Sequence, residues 1–371
     1  MPVDDLTLVL TRGVGPRTIS HRIDIYGSAE AIFEVSKDEL VERARLRPEI
    51  AERIVRREAK DAAAKELEYC RSHDLSVVVA TDDSYPKLLR EVDDCPHVLF
   101  VRGNVKALSQ RHLSMVGTRN ISPAGKDVCN RIVQQLGERV DDLCIVSGLA
   151  YGVDAACHRA SLAYGVNTVA VIASALPSVT PSAHRALADD IVAHGGAIIT
   201  ELHSQSPQNG ALFLARNRII AGMSAGTVVV ESPASGGSLA TADMADGYHR
   251  AVMAIPGRIT DNSSFGTNNL IRSGKARLVL TADDIVEDVG WHLSAASSSE
   301  DSTADSPLSQ LQPSEQMVYS IIADNTTISL AEILERSGLT IGELSMVIMS
   351  LELQGLIRKL PGQSYELAWR G

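Results

Sequence analysis

From Leu113 onward, short continuous apolar runs alternate with longer stretches of helical periodicity. The runs are Leu113–Val116, Leu143–Ser147, Thr168–Ala173, Ala197–Thr200, Thr227–Glu231, Ala251–Ile255 and Ala276–Leu280. Each is uniformly apolar rather than alternating, as expected of strands covered on both faces. Between them, Pro123–Arg139, Val153–Tyr164, Ala183–His194, Phe213–Met223, Ser238–Tyr248 and Thr267–Ser273 repeat apolar residues at helical spacing. Ser122 is placed to cap the first of these helices and Pro123 to open it. Strict strand–helix alternation predicts a parallel sheet with right-handed crossovers: an α/β, doubly wound, Rossmann-like fold.

The flanks read differently. Val77–Ala80 and Val98–Val101 are predicted strands that extend the sheet. The first stretch of the chain is helical, with Gly13-Val14-Gly15-Pro16-Arg17 between two amphipathic segments. A Gly-x-Gly turn between helices is a helix–hairpin–helix (SAM-like) pattern, whose backbone N–H groups can face a phosphate. It also serves as a plain packing turn, and the balanced charge of the segment does not decide between the two. Ser294–Gln310 is polar, acidic and low in complexity, and reads as a flexible linker. Beyond it, Ser314–Ala323 (with Ser314 as cap), Ser329–Ser337 and Thr340–Gln354 are predicted helices. Strands Ile357–Leu360 and Tyr365–Ala368 flank Pro361-Gly362-Gln363, completing a winged helix. The expected domains are therefore residues 1–68, helical; 69–290, Rossmann-like; 291–312, linker; and 313–371, winged helix.

Composition narrows the classes. A chain of 371 residues is long for one core, and with 44% hydrophobic but only 4% aromatic residues its core must be aliphatic. A net charge of −11 argues against a general nucleic-acid binder but leaves room for a local basic pocket. Five cysteines without a Cys-x-x-Cys pair or Cys/His cluster read as reduced thiols and no zinc site. No leader pattern and no membrane-length apolar run occurs, so a cytoplasmic location is expected.

The chemistry gathers at the strand ends, where open parallel sheets bind ligands. Gly117, Thr118 and Arg119 follow the first strand of the alternating region. Ser147 and Gly148 follow the second, with Tyr151 and Gly152 close behind. Glu231 ends the fifth, followed by Gly236, Gly237 and Ser238 at a helix start. Glycines let backbone approach a ligand, and helix N-termini favour anions. Arg119, Arg216 and Arg218, with Asn217 between the last two, supply positive charge suited to phosphate oxygens. There is no Gly-x-Gly-x-x-Gly after the first strand and no P-loop, which argues against a nicotinamide or nucleoside-triphosphate cofactor. Asp154 and His158 share one helix face and could form an acid–base pair, although bracing of the preceding loop is the favoured role, as for Glu231. With no nucleophile elbow and no carboxylate cluster for a metal, a binding protein is expected rather than an enzyme. Two other readings stay open: a nucleotide or nucleotide-sugar sensor, and a nucleotide glycosidic-bond hydrolase using Glu231 or Asp154.

Taken together, these loops resemble the DNA-processing protein A (DprA/Smf) family. The resemblance runs through Met115–Arg119, Ser147–Ala150 with Gly152-Val153-Asp154 and His158, Arg216–Gly222, Glu231 with Ser235–Ala242, and Ile255-Pro256-Gly257 with Asn268–Ile271. Asp83–Pro86 and Gly103-Asn104 extend it upstream. It implies a homodimer that binds single-stranded DNA, protects it during natural transformation and loads RecA onto it, with no cofactor and no covalent chemistry. By position, Arg119, Arg216 and Arg218 would contact DNA, and the Ser147-Gly148 and Gly236-Gly237-Ser238 loops would offer N–H groups to phosphates. Tyr151 and Asn167 stand where the family usually has basic residues, and Ala175-Leu176-Pro177-Ser178 replaces its glycine-rich loop. A less basic pocket is therefore expected, with Tyr151 available to stack on a base. The third winged-helix helix carries Glu343 and Glu352 and neither lysine nor arginine, and exposed Met346 and Met349 suit protein contact better than a DNA groove.

Overall fold

The computed structural model describes residues 2–207, 209–291, 311–323, 325, 327–354, 356–360 and 364–367. The chain divides into two compact units, residues 1–296 and 297–371. Six helices open the first: α1 (Pro2–Leu10), α2 (Pro16–Tyr26), α3 (Ala29–Phe33), α4 (Lys37–Glu42), α5 (Pro48–Val55) and α6 (Lys60–Ser72). Both α2 and α5 begin with a proline, whose missing N–H is harmless in a first turn. Leu8, Ile19, Ile32, Leu40 and Ile54 form a core of their own, but Leu6, Ala63 and Cys70 pack with Val98 and Phe100 of the sheet. The helices expected as a separate domain over residues 1–68 are thus built into the same unit as the sheet.

The sheet has nine strands: β1 (Ser76–Val79), β2 (Val98–Gly103), β3 (Arg111–Val116), β4 (Leu143–Ser147), β5 (Asn167–Val171), β6 (Ala197–Thr200), β7 (Gly226–Val229), β8 (Ala251–Ala254) and β9 (Arg277–Leu278). Their order is β1-β2-β6-β5-β4-β3-β7-β8-β9. β3 to β9 are mutually parallel, while β1 and β2 add an antiparallel edge onto β6. Eight helices complete the unit: α7 (Lys87–Arg90), α8 (Pro123–Arg139), α9 (Val153–Ala163), α10 (Arg185–Ala193), α11 (Ala211–Gly222), α12 (Gly237–Gly247), α13 (Phe265–Arg272) and α14 (Ala282–Asp288).

One sheet face packs Leu113, Met115 and Ile145 against Ile132 and Leu136 of α8 and Cys157 of α9. The other packs Val116, Val146 and Ile199 against Ile219 and Ile220 of α11 and Ala242 and Ala245 of α12. Coverage of both faces explains why the strand runs are unbroken apolar stretches. Two helices are additions to the sequence reading: α7, a single turn, and α14, which Thr281 and Asp284 start with a capping box. Strand order reverses between β3 and β7. That switch point is where an open α/β sheet leaves a crevice outside its carboxyl ends.

The second unit contains α15 (Pro313–Ala323), β10 (Ile328–Ser329), α16 (Leu330–Ser337), α17 (Ile341–Leu353), β11 (Ile357–Leu360) and β12 (Ser364–Leu367), with sheet order β10-β12-β11. This is a winged helix. Its first helix starts at Pro313, so Ser314 lies inside it and is not its cap. Leu344, Val347, Ile348 and Leu351 bury one face of α17, while Ile341, Met346, Met349 and Leu353 on the other side are exposed. The turn at residues 361–363 and the linker at 292–310 lie outside the described residues.

Candidate anion-binding site at the carboxyl edge of the sheet

The loops after β3 and β7 are stitched together at the switch point. Thr118 N–H donates to the Glu231 carbonyl at 2.7 Å, and Val153 N–H at the start of α9 donates to the Thr118 carbonyl at 3.1 Å. The approach requires Gly152, which sits at φ +79° and whose β-carbon would lie 2.1 Å from the Thr118 carbonyl oxygen. The Glu231 carboxylate accepts from Ser122 N–H at 2.9 Å and from the Ser122 hydroxyl, and Ser122 caps α8 by accepting from Gly125 N–H. Glu231 therefore fixes where the first loop ends.

Asp154, on α9, accepts from Gly148 N–H at 3.1 Å and Ala150 N–H at 3.2 Å, bracing the second loop from below. Burial raises its pKa, and the nearby positive Arg216 works against that rise. His158 lies one turn further along but does not pair with Asp154. Its Nδ1 is 2.7 Å from Thr168 Oγ1, and Thr168 donates its only hydroxyl proton to the Ile145 carbonyl. Nδ1 must then be the donor, leaving Nε2 as a buried acceptor without a partner. Burial pulls the imidazole pKa down to about 3, with Arg216 adding to the effect. The pair is structural on both sides and does not form an acid–base couple.

The three arginines part company. Arg119 is exposed, its guanidinium 5.9 Å from the Phe213 ring centroid. Arg216 is buried, 6% exposed, beneath the second loop. Its Nη1 donates to the Val171 carbonyl at 2.8 Å, and its Nε has no partner. Among the described residues no carboxylate reaches ion-pair distance of it. Burial draws its pKa down to about 10, so it stays charged at neutral pH. Arg218 is already taken up by partners within the unit. Its guanidinium is held by the Glu201 carboxylate at 2.5 Å and the Asp94 carbonyl at 2.6 Å. The expectation that Arg218 touches a ligand is corrected: it ties α11 to the β2–β6 side of the unit.

The expected N–H donors separate in the same way. Ser147 is fully buried and donates to the Met115 carbonyl at 2.7 Å, and Gly148 N–H is taken by Asp154. The second loop therefore offers no donor at these positions. The start of α12 differs. Gly236 and Gly237 are exposed, the helix has no side-chain cap, and among the described residues the N–H groups of Gly236, Gly237 and Ser238 have no acceptor. The Ser238 hydroxyl donates to Ser232 Oγ at 2.9 Å, and Asn217 Nδ2 donates to the Gly237 carbonyl at 3.3 Å, which fixes this turn against α11. The helices α9 and α11 also start on this sheet edge, but their first N–H groups are taken, Val153 N–H by the Thr118 carbonyl and Ala211 N–H by Asn209 Oδ1. An anion at such an edge meets unpaired N–H groups and three helix-dipole N-termini.

Tyr151 is half exposed, its ring edge-on to His184 at 4.8 Å, and His184 is anchored through Nδ1 to the Leu149 carbonyl at 2.8 Å. Asn167 is elsewhere. It is the first residue of β5, bonded to Gln110, and so lies at the amino edge of the sheet. The missing charge expected there is not missing from this site. Three contributors escaped the sequence reading: Phe213 under Arg119, His184 behind Tyr151, and Ser122 as the ligand of Glu231. Phe213 precedes Arg216 by three residues, a helical spacing that could have flagged it.

Comparison with known proteins places this geometry. The family profile for DNA recombination-mediator protein A matches residues 76–290, and that for the DprA winged helix domain matches residues 302–363. Protein Smf of Escherichia coli K12 is 32% identical over 77% of this chain and 76% of its own length. The crystal structure of DNA processing protein A from Streptococcus pneumoniae superposes with a TM-score of 0.68 at 30% identity, covering 79% of this chain and 99% of that one. A DNA processing protein A from Helicobacter pylori, described for its single-stranded DNA binding mode, shares the fold with a TM-score of 0.51 at 24% identity, over 58% of this chain and 95% of its own.

Proposed function

The chain belongs to the DNA recombination-mediator protein A family, and on that premise we propose that its carboxyl-edge site binds the phosphate backbone of single-stranded DNA and that it delivers the strand to a recombinase of the RecA type. The observation that carries this reading is Arg216. Its guanidinium is buried with no carboxylate at ion-pair distance among the described residues, the through-space attraction of Asp154 offsets part of that cost, and an anion above it adds to the compensation. The unpaired N–H groups at the start of α12 and the exposed Arg119 converge on the same edge. Tyr151 and Phe213 add aromatic faces on which bases can stack, a sequence-tolerant contact.

No covalent step enters this reading. Glu231 and Asp154, the carboxylates a hydrolase would need, are both occupied by backbone N–H groups. A pairing of two copies through the sheet-bearing unit, protection of the bound strand and a role in natural transformation belong to the same proposal. Among the described residues no helix is long and apolar enough to cross a membrane. The test is recombinase nucleation on a single strand coated with a single-strand-binding protein. The account expects the chain to shorten the lag, and an Arg119→Ala variant to lose most of that effect. An unchanged lag with the wild-type chain would overturn the mediator role.

A further inference from the structure

Four of the exposed large apolar side chains in the first unit belong to segments that leave the carboxyl edge of the sheet. They are Tyr151 after β4, Leu214 at the start of α11, Phe265 at the start of α13 and Ile259 after β8. Ile259 is the most exposed of them, at 84%. Single exposed apolar residues need no explanation, but a set of them interleaved with cations does. Arg119 belongs to this set beside Phe213, and Arg258 precedes Ile259. Arg258 is exposed and makes no ion pair among the described residues.

The far end of the set is rigidly based. Gly266 N–H donates to the Ser232 carbonyl at 2.8 Å, which sets Phe265 beside the loop after β7. Asn268 grips Gly257 from both sides, accepting from its N–H at 3.1 Å and donating to its carbonyl at 3.0 Å. The exposed stretch runs from Gly257 to Asn262, with Arg258 and Ile259 near its start and the Asp261 carboxylate behind them. Between the two ends lie the exposed Gly236 and Gly237 with their unpaired N–H groups.

We propose that the single-strand track continues past the switch point, across the loops of β7 and β8, with Phe265 and Ile259 as base contacts and Arg258 as a phosphate contact. The inference rests on the single-strand reading of the site and extends it. From β4 to β8 the sheet takes three steps, about 14 Å at the ~4.8 Å spacing of neighbouring strands. At the ~3.4 Å per phosphate of a helical strand, that is room for roughly four nucleotides. An alternation of apolar platforms and cations is how proteins hold single strands without reading sequence.

Strand length separates this proposal from the reading beneath it. Binding of fluorescent oligothymidylates of about 2 nucleotides, too short to span the extended track, and about 12 nucleotides would be measured by anisotropy for the full chain and its variants. The double variant Phe265→Ala/Ile259→Ala should bind the longer strand roughly tenfold more weakly and the shorter within about twofold of wild type. Arg258→Ala should reduce the salt slope for the longer strand by about 0.7. Wild-type affinity of the double variant for the longer strand overturns the extension. So does a change in its sedimentation, which would make this loop a protein contact. If Arg119→Ala leaves both lengths unaffected, the central reading fails instead.

Discussion

The guanidinium of Arg216 occupies the space that a side chain at Gly148 would need: a β-carbon there would stand 1.8 Å from Arg216 Nη1. The glycine of the second loop is thus explained by the arginine beneath it, and Asp154 holds that loop down over the buried charge.

Gly148→Ala should consequently behave like a lesion of Arg216. The added methyl must displace the guanidinium, and the variant should lose single-strand affinity as Arg216→Ala does, by about tenfold or more if one charge-assisted contact is lost. Anisotropy with a labelled strand checks this. Normal binding by Gly148→Ala would mean the position of Arg216 is irrelevant to the ligand.

Arg119 and Arg218 should separate cleanly. Arg119→Ala removes an exposed phosphate contact and should lower the salt slope of binding by about 0.7. Arg218→Ala breaks a largely buried pair with Glu201, leaving that carboxylate, whose pKa burial already raises, without its cation. It should destabilise the fold by about 3 kcal/mol and leave the slope alone. Thermal melts and salt titrations of the two variants distinguish these outcomes.

Tyr151→Ala should weaken single-strand binding by about 1–3 kcal/mol if the ring stacks on a base, and Tyr151→Phe should retain affinity. Equal binding by the alanine variant would remove Tyr151 from the site and leave it as a cover over His184.

His158 makes stability depend on pH. Its folded pKa is about 3, against roughly 6.5 for an unfolded imidazole. The unfolded chain binds the proton more tightly, so the full stability is present above about pH 6.5 and declines as pH falls toward 3. Buried His112, at about 4, acts in the same direction. Urea midpoints at two pH values, near 7.5 and near 5, should drop for wild type and drop less for His158→Asn. An identical drop in both would show that His158 is not the titrating group.

Much of the fold was legible because parallel strands buried on both faces leave uninterrupted apolar runs, as at Leu143–Ser147. The winged helix was legible from three helical stretches followed by two short strands, although the one cap read for it, Ser314, lies inside its helix. The site was legible as a set of loops but not as a set of roles. Arg216-Asn217-Arg218 reads as one basic cluster, yet two residues along a helix turn a side chain to a nearly opposite face, burying one guanidinium under the loop and pairing the other with Glu201. Asn167 was misplaced because a position carried over from the family pattern does not say which end of a strand it occupies, and Asn167 opens β5. Which N–H groups are free was also hidden, since Gly148 and Gly237 look alike until Asp154 is seen to claim one of them.

The central claim is an anion site built for a polymer. The most direct test is the affinity of a single strand of about 20 nucleotides, against a mononucleotide, as a function of salt. The account predicts tight, length-dependent binding whose logarithm falls linearly with the logarithm of salt concentration, with a shallower slope for Arg119→Ala. Saturation of the site by the mononucleotide, or a slope unchanged by Arg119→Ala, would contradict it.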